Sequence, residues 1–360
     1  MKIREFQFIL EKKGCDFAIF YNTDSSGYNP NLLYFSGYDA LGCLIVPKSR
    51  EPFLLVPEME LQRAEKSISK KGFSGVFKME KKRFFESIYK TITGKSLRKS
   101  KIALDKNNFT LSSFNLFRKT FKKIKISDVG PDCLKLREIK TEKEIMLLRK
   151  SCGFADKIIQ KAINNFKEFK TESQASAFLE YETKKAGFGL SFNPIVASAG
   201  NASMPHHEPS NAKIKKGFCV IDFGVKYKGY CSDITRTIYF GVPLGREKDI
   251  YRSLLDTQNG AINQIMENKK CSELYDFTVK TLGKFKNNFT HGLGHGVGVQ
   301  IHELPNLTLN SKERIRNNMV FTVEPGVYFP KKFGIRIEDT ILFKGNAEVL
   351  TKTPKELITI

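Results

Sequence analysis

The alternation of apolar and polar residues divides the chain into two parts. In residues 1–135, short apolar runs typical of strands alternate with amphipathic stretches typical of helices. The predicted strands lie at 17–22, 41–47, 52–57 and 102–105, and the predicted helices lie near 3–13, 58–71 and 82–92. This alternation indicates an α/β domain.

Residues 136–360 follow a different plan, in which two helices precede a hairpin. TEKE at 141–144 and TESQ at 171–174 each have the form of a capping box that begins a helix. The same plan then occurs again, with helices near 246–266 and 272–286 ahead of a second hairpin. We interpret this as an internal duplication and predict two domains, 1–135 and 136–360.

The first hairpin, FCVIDFGVKYKGYCSDITRTIYF at 218–240, carries two aspartates. A turn centred on Tyr227 and Lys228 would make Asp222 and Asp233 direct cross-strand partners on one face. Because like charges directly opposite each other repel, we expect a positive ion between them.

The second hairpin carries Glu324 and Glu338 on either side of a turn near residue 331. The four carboxylates together offset the charge of two divalent cations. A neutral imidazole added to these oxygens suits Mn²⁺, or else Co²⁺, Fe²⁺ or Zn²⁺, better than a thiolate zinc site. Two such ions can activate a water and polarise a carbonyl, so hydrolysis is the chemistry expected.

The five histidines of the chain fall within about a quarter of its length, close to these carboxylates; they are His206, His207, His291, His295 and His302. HGLGHGVG at 291–298 places two imidazoles four residues apart among glycines. We expect these glycines to let the backbone pass close to metals and substrate, where a Cβ would intrude.

Several segments together resemble the pita-bread metallopeptidases, which include aminopeptidase P, prolidase and methionine aminopeptidase. They are ASAGNASMPHH (197–207), VIDFGVKYKGYCSDITRT (220–237), HGLGHGVG (291–298), IHELP (301–305), TVEPGVY (322–328) and GIRIEDT (334–340). NLLYFSGYDA (31–40) is similar to the N-terminal domain of the aminopeptidase P and prolidase branch. The resemblance implies a creatinase-like α/β domain followed by an α+β pita-bread catalytic domain.

The resemblance also implies a set of ligands for two divalent ions, Mn²⁺ being the first choice. This set is Asp222, Asp233, His295, Glu324 and Glu338. Asp233 and Glu338 would bridge the two ions, and Glu324 would also carry the proton to the leaving group.

The same resemblance implies that three histidines bind substrate and that one arginine supports the metal ligands. His206, His291 and His302 would contact substrate, with His206 and His302 also counted as catalytic and His302 supporting the oxyanion. Arg336 would hold the bridging carboxylates in place. For His207, which could exchange roles with His206, we favour an exposed position in the loop.

The resemblance implies hydrolysis of Xaa-Pro peptide bonds. We predict an Xaa-Pro aminopeptidase, with Xaa-Pro dipeptidase (prolidase) as the alternative. Prolidases often hold the C-terminal carboxylate of a dipeptide with an arginine shortly after the IHE motif, where this chain has Asn306; Arg314 or Arg316 could substitute. A methionine aminopeptidase is disfavoured by the 135-residue front domain.

Composition and charge narrow the remaining classes. The net charge of +22 comes from basic residues spread along the whole chain, so we expect a solvated basic surface and no specific nucleic acid partner. No apolar run approaches the roughly 18 residues of a membrane span. Seven cysteines without a CxxC pair are typical of reduced thiols, and we predict a cytoplasmic protein. The family resemblance implies a homodimer. A metal-free peptide-binding relative is disfavoured because all five ligand positions are intact.

Overall fold

The computed structural model describes residues 2–23, 28–68, 72–80, 84–92, 100–122 and 124–360. The chain forms two compact units, Met1–Leu136 and Arg137–Ile360. The ends of two predicted helices, residues 69–71 and 82–83, lie outside the described residues.

The first unit is an α/β structure around one six-stranded sheet. Its strands are β1 (Phe17–Asn22), β2 (Gly42–Pro47), β3 (Phe53–Val56), β4 (Gly75–Lys78), β5 (Lys101–Leu104) and β6 (Lys125–Asp128). Its helices are α1 (Ile3–Lys12), α2 (Pro30–Ser36), α3 (Leu61–Ile68), α4 (Phe84–Ile92), α5 (Leu111–Thr120) and α6 (Gly130–Glu138), the last containing the boundary between the units. The strand order is β4-β3-β2-β1-β5-β6. Every residue of the central strand β1 is buried, as its uninterrupted apolar run predicts.

The second unit contains four α-helices within the described residues. They are α7 (Glu142–Asn164), α8 (Glu172–Lys185), α9 (Gly245–Asn263) and α10 (Cys271–Leu282). The capping box predicted at 141–144 is confirmed, because Thr141 and Glu144 each bond the other's backbone N–H. The second box is only half formed: Thr171 accepts from the N–H of Gln174, but the Gln174 side chain accepts from Lys170 instead of Thr171.

The strands of the second unit form several small sheets. They are β7 (Gly189–Leu190), β8 (Ile195–Ser198), β9 (Gly217–Phe223), β10 (Val225–Tyr227), β11 (Tyr230–Cys231), β12 (Ile234–Phe240), β13 (Gly294–Gly296), β14 (Glu303–Leu307), β15 (Met319–Val323), β16 (Gly326–Phe329), β17 (Phe333–Arg336), β18 (Asp339–Lys344) and β19 (Asn346–Val349). The orders are β12-β9-β8, β11-β10-β7, β14-β13-β15-β18-β19 and β16-β17. A single bridge between Thr235 and Glu338 joins the first hairpin to the second.

The register of the first hairpin differs from the prediction. Asp222 lies opposite Thr235, and Asp233 precedes the first residue of β12. The turn consists of Lys228 and Gly229, both with positive φ (48° and 87°), as a two-residue hairpin turn requires. Asp222 and Asp233 are therefore offset along the strands and are not directly opposite.

The second unit has its apolar cores beneath these sheets. One core packs α9 and α10 against β15, β17 and β18, and another packs α7 and α8 against β9 and β12. Among the described residues, no helix has the length and apolar character of a membrane span. All seven cysteines are free and buried.

Candidate metal centre

The five residues proposed as ligands come from the ends of strands or from short strands in the second unit. Asp222 is the penultimate residue of β9, Asp233 precedes β12, His295 is the middle residue of β13, Glu324 follows β15 and Glu338 lies between β17 and β18. All five line one cavity of about 350 Å³, together with His206, His291, His302 and Arg336. The structure thus brings every sequence-predicted site residue to a single cavity.

Asp233, His295 and Glu338 form the tightest group of potential metal ligands. One ligand atom from each lies within 4.8 Å of the others. His295 Nε2 is 3.5 Å from an Asp233 oxygen and 3.3 Å from an oxygen of Glu324. The group therefore has the compactness that one shared cation requires.

The orientation of His295 suits it to be a ligand through Nε2. Its Nδ1–H donates to the carbonyl of Gly296 at 3.2 Å, which leaves the Nε2 lone pair directed toward the carboxylates. Burial would lower the pKa of this imidazole, but the hydrogen bond and charge of Glu324 raise the pKa above its ordinary value. A cation on Nε2, either a proton or a metal ion, is therefore favoured.

Three of the acids are poorly compensated as carboxylates. Burial, followed by the charge of Glu338, raises the pKa of Asp233 well above its usual range. Burial, followed by the charge of Glu324, raises the pKa of Glu338 in the same way. Burial also raises the pKa of Asp222, although Arg336 counteracts this effect. Mutual repulsion in a buried space thus leaves the group short of positive charge.

Glu324 is the exception among the acids. Burial opposes its ionisation, but the hydrogen bond and charge of His295 lower the pKa of Glu324 to about 2. Its Oε1 also accepts a hydrogen bond from Thr322 Oγ1 at 3.1 Å.

Two buried carboxylate oxygens show whether these residues fit a metal ion. Within the described residues, Asp222 Oδ1 and Glu338 Oε1 are buried and have no hydrogen-bond partner. A buried polar atom without a partner costs about 1–3 kcal/mol, more when it is charged. Divalent cations bound among these oxygens and His295 Nε2 would supply the missing partners, so the residues fit a metal centre.

The direct carboxylate partner of Arg336 is not one of the pair that the sequence predicted. Its guanidinium donates to Asp222 Oδ2 at 2.7 Å, and no hydrogen bond from it to Asp233 or Glu338 is found in the described structure. Its other donors reach Thr235 Oγ1, the carbonyl of Pro205 and the hydroxyl of Tyr328. Thr235 Oγ1 in turn donates to Glu338 Oε2 at 2.7 Å, so Arg336 contacts Asp222 directly and Glu338 through Thr235.

Tyr328 is a site residue that the sequence reasoning missed. Its buried hydroxyl lies 2.8 Å from Arg336 Nη1 and 3.0 Å from His291 Nε2. Since the Nδ1–H of His291 donates to the carbonyl of Gly292 at 2.8 Å, Nε2 accepts from the tyrosine. His291 is thus a neutral imidazole with both nitrogens engaged, and burial lowers its pKa.

The remaining histidines occupy different positions. His206 and His302 line the cavity, and the His302 ring contacts the His295 ring edge-on with centroids 4.2 Å apart. Burial, and next the charge of His295, lower the pKa of His302. The expectation of an exposed His207 is wrong: its side chain is 10% exposed and its Nε2 lies 2.8 Å from Glu172.

The glycines of 291–298 also pack closely against neighbouring protein segments. A Cβ on Gly294 would lie 2.0 Å from the carbonyl oxygen of Thr322, and one on Gly296 would lie 2.0 Å from that of Leu304. Gly294 and Gly296 therefore permit close approach of neighbouring backbone, and Gly292 and Gly294 also line the cavity.

The cavity has few positive groups. Asn306 and Thr308 line it, and Arg336 is the one lysine or arginine among the described residues that form its wall. Arg316 pairs with Glu138, and Arg314 donates to the carbonyl of Asn268. Neither arginine lines the cavity, so neither replaces the arginine that a prolidase is expected to have near position 306.

Comparison with known protein families gives matches over both parts of the chain. Residues 146–344 match the model of metallopeptidase family M24. Residues 2–139 match the Creatinase/Prolidase N-terminal domain.

Individual relatives match over nearly the whole length. An Xaa-Pro dipeptidase of Pyrococcus horikoshii is 36% identical over 338 residues, which cover 92% of each chain. The crystal structure of the prolidase from Pyrococcus horikoshii OT3 superposes with a TM-score of 0.89 at 32% identity, covering 99% of both chains. The X-Pro aminopeptidase from Thermotoga maritima MSB8 has a TM-score of 0.88 at 27% identity, covering 97% of this chain and 99% of its own.

Proposed function

The chain belongs to metallopeptidase family M24, and from this premise we propose that it is a metal-dependent Xaa-Pro dipeptidase. From the sequence, we predict aminopeptidase activity first and dipeptidase activity as the alternative. The similarities reverse that order, because relatives named Xaa-Pro dipeptidase from Pyrococcus horikoshii and Pyrococcus furiosus are each 36% identical over more than nine-tenths of this chain.

The observation that carries the proposal is the group of Asp233, His295 and Glu338, whose ligand atoms lie within 4.8 Å of one another. With Asp222 and Glu324 these residues would hold two divalent ions, for which Mn²⁺ suits the mostly oxygen donor set. The bound ions would supply Lewis-acid polarisation of the scissile carbonyl and activation of water.

The protein's own side chains would complete the reaction. Glu324 is a carboxylate at neutral pH because His295 lowers its pKa, and it would carry a proton to the leaving prolyl nitrogen. His302 would stabilise the oxyanion and His206 would bind substrate, since both line the cavity. His291 has both nitrogens engaged, so it contributes ring surface and shape more than a hydrogen bond.

A second candidate, Xaa-Pro aminopeptidase, is favoured by one specific observation. A dipeptide places its own C-terminal carboxylate next to the scissile bond, and the cavity wall offers it Asn306 and Thr308 but no uncommitted cation among the described residues. A longer peptide would bring a neutral amide to the same place.

The test compares Xaa-Pro with Xaa-Pro-Yaa and longer peptides, with Xaa-Ala as the control substrate. We expect activity to disappear on chelation, to return with Mn²⁺, and to be highest for the dipeptide. Values of kcat/KM that increase with peptide length would favour the aminopeptidase. Metal-loaded protein that cleaves none of these peptides would contradict both.

Cytoplasmic localisation and a homodimer stay predictions from the sequence. Native mass measurement of the metal-loaded protein tests the second of these.

A further inference from the structure

The carboxylate of Glu172, the first residue of α8, gathers an unusual number of donors. Its Oε1 accepts from Ser198 N at 2.8 Å, Ser198 Oγ at 3.0 Å and Asn201 Nδ2 at 3.0 Å. Its Oε2 lies 2.8 Å from His207 Nε2, 3.2 Å from Ser210 Oγ and 3.4 Å from Ser210 N. Apart from Ser198, these donors belong to residues 199–210, here called the site loop.

This arrangement compensates a fully buried charge. Glu172 is 0% exposed, and burial alone would raise its pKa. The Ser198 backbone N–H and the side chains of His207, Asn201 and Ser198 outweigh burial and lower the pKa. The carboxylate is thus held as an anion by donors that converge from both ends of the site loop, which makes any other loop conformation costly.

The site loop carries His206 to the cavity. On one side of His206, the carbonyl of Pro205 accepts from Arg336 Nη1 at 3.2 Å. On the other side, His207 is bound to Glu172. Backbone on both sides of His206 is therefore fixed, at one point by the guanidinium that also holds Asp222 and at the other by the buried carboxylate.

We propose that Glu172 and His207 are positioning residues that lock the site loop so that His206 faces the substrate. This rests on the proposed function, in which His206 binds substrate. Neither residue lines the cavity, so their effect on turnover passes through the loop and not through contact with the reacting atoms.

The first test measures amide hydrogen exchange of the full-length protein without substrate. In Glu172→Gln the amide N–H₂ would face donors, and the site loop should exchange at least about tenfold faster while α7 keeps its wild-type rates. Glu182→Gln is the matched control, because Glu182 lies on the same helix as Glu172 but makes no hydrogen bond or ion pair with the site loop in the described structure. Its carboxylate pairs instead with the partly exposed Lys161 at 2.7 Å.

The milder His207→Asn removes one contact to Glu172 and serves if Glu172→Gln does not fold. Loop exchange that stays at the wild-type rate in the folded variants would overturn the proposal. This measurement needs no turnover, so it stands whether or not the proposed function does.

The second test is a double-mutant cycle with His206→Ala, with rates expressed per metal-loaded site. Alone, Glu172→Gln should raise KM about tenfold and lower kcat less. In the His206→Ala protein the same change should alter kcat/KM less than about twofold, because the loop no longer carries the group that it positions. Additive effects, as general destabilisation would produce, would contradict the lock. If His206→Ala itself is fully active, His206 does not have the role given to it in the proposed function. The exchange data would still show whether Glu172 and His207 fix the site loop.

Discussion

Two adjacent acids, Glu338 and Asp339, occupy opposite electrostatic environments although both are buried. Asp339 accepts from Arg236 at 2.7 Å, Thr351 at 2.8 Å and Gln258 at 2.9 Å, and Lys355 lies 3.1 Å away. Burial would raise its pKa, but Arg236 and Lys355 lower the pKa below its usual range.

Glu338, on the cavity side, has far less support. Its Oε2 accepts from Thr235 at 2.7 Å, its Oε1 has no partner within the described structure, and its pKa is raised well above the usual range by burial and then by Glu324. The comparison teaches that burial does not by itself identify a functional acid. Of these two acids, the one with a missing partner lies at the proposed metal centre, and the one with all its partners present has a structural role.

Glu338→Gln should have the largest effect, and it tests whether Glu338 is a metal ligand. We expect kcat/KM on an Xaa-Pro substrate to fall by about a thousandfold or more, because several kcal/mol of transition-state stabilisation depend on the metals. Metal content per chain, measured by mass spectrometry, should fall with it. Glu348→Gln, which alters a partly exposed carboxylate paired with Arg149, is the control. Full turnover with unchanged metal content would refute the ligand assignment.

Asp339→Asn should act on stability. Removing one partner of the buried pair leaves Arg236 uncompensated, and we expect the free energy of unfolding to fall by about 3–5 kcal/mol. Urea denaturation of the metal-free protein checks this, with Glu338→Gln beside it. If both variants lost equal stability, the distinction between the two acids would be wrong.

Arg336→Lys should produce a smaller change. A lysine keeps the charge but loses the planar donors that reach Asp222, Tyr328 and Pro205, so metal affinity should fall about 10–100-fold. Titration with Mn²⁺ followed by calorimetry measures it. An unchanged affinity would mean that Asp222 does not depend on the guanidinium.

The smallest expected effect concerns pH and extends the comparison to Glu172. Its pKa is lowered in the folded protein, so its contribution to stability is present above the unfolded value of about 4.3 and is lost as pH falls through the folded pKa. The stability difference between wild type and Glu172→Gln should therefore narrow below about pH 4.3. Denaturation curves from pH 7 to pH 3 test this, and a gap that widens on acidification would contradict it.

Local signals explain what the sequence could predict. The capping box at Thr141 and the apolar run of β1 are complete within a few residues, so both could be found without tertiary information. The hairpin register failed because the turn was placed at Tyr227 and Lys228. Gly229 was the available signal, since a two-residue turn with positive φ at both positions favours glycine at the second.

Partners far apart in the chain account for what was missed. The five proposed ligands were predicted from motifs, but no motif pointed to the contact of Tyr328 with His291 across 37 residues or to the contacts of Glu172 across 26 or more residues. His207 was misplaced for the same reason, because its partner precedes it by 35 residues on another element. No periodicity in the sequence encodes such pairs.

The glycines beside His295 limit how this pocket can diversify. A Cβ at Gly294, Gly296 or Gly298 would come within 2.0–2.3 Å of a carbonyl or carboxylate oxygen. A randomised library at these positions should return the parental residue almost every time, although glycine-rich stretches ordinarily tolerate exchange. New substrate preferences would then have to arise at cavity positions that carry side chains, such as Asn306 and Thr308 beside the glycine strand, while the glycines themselves stay unchanged.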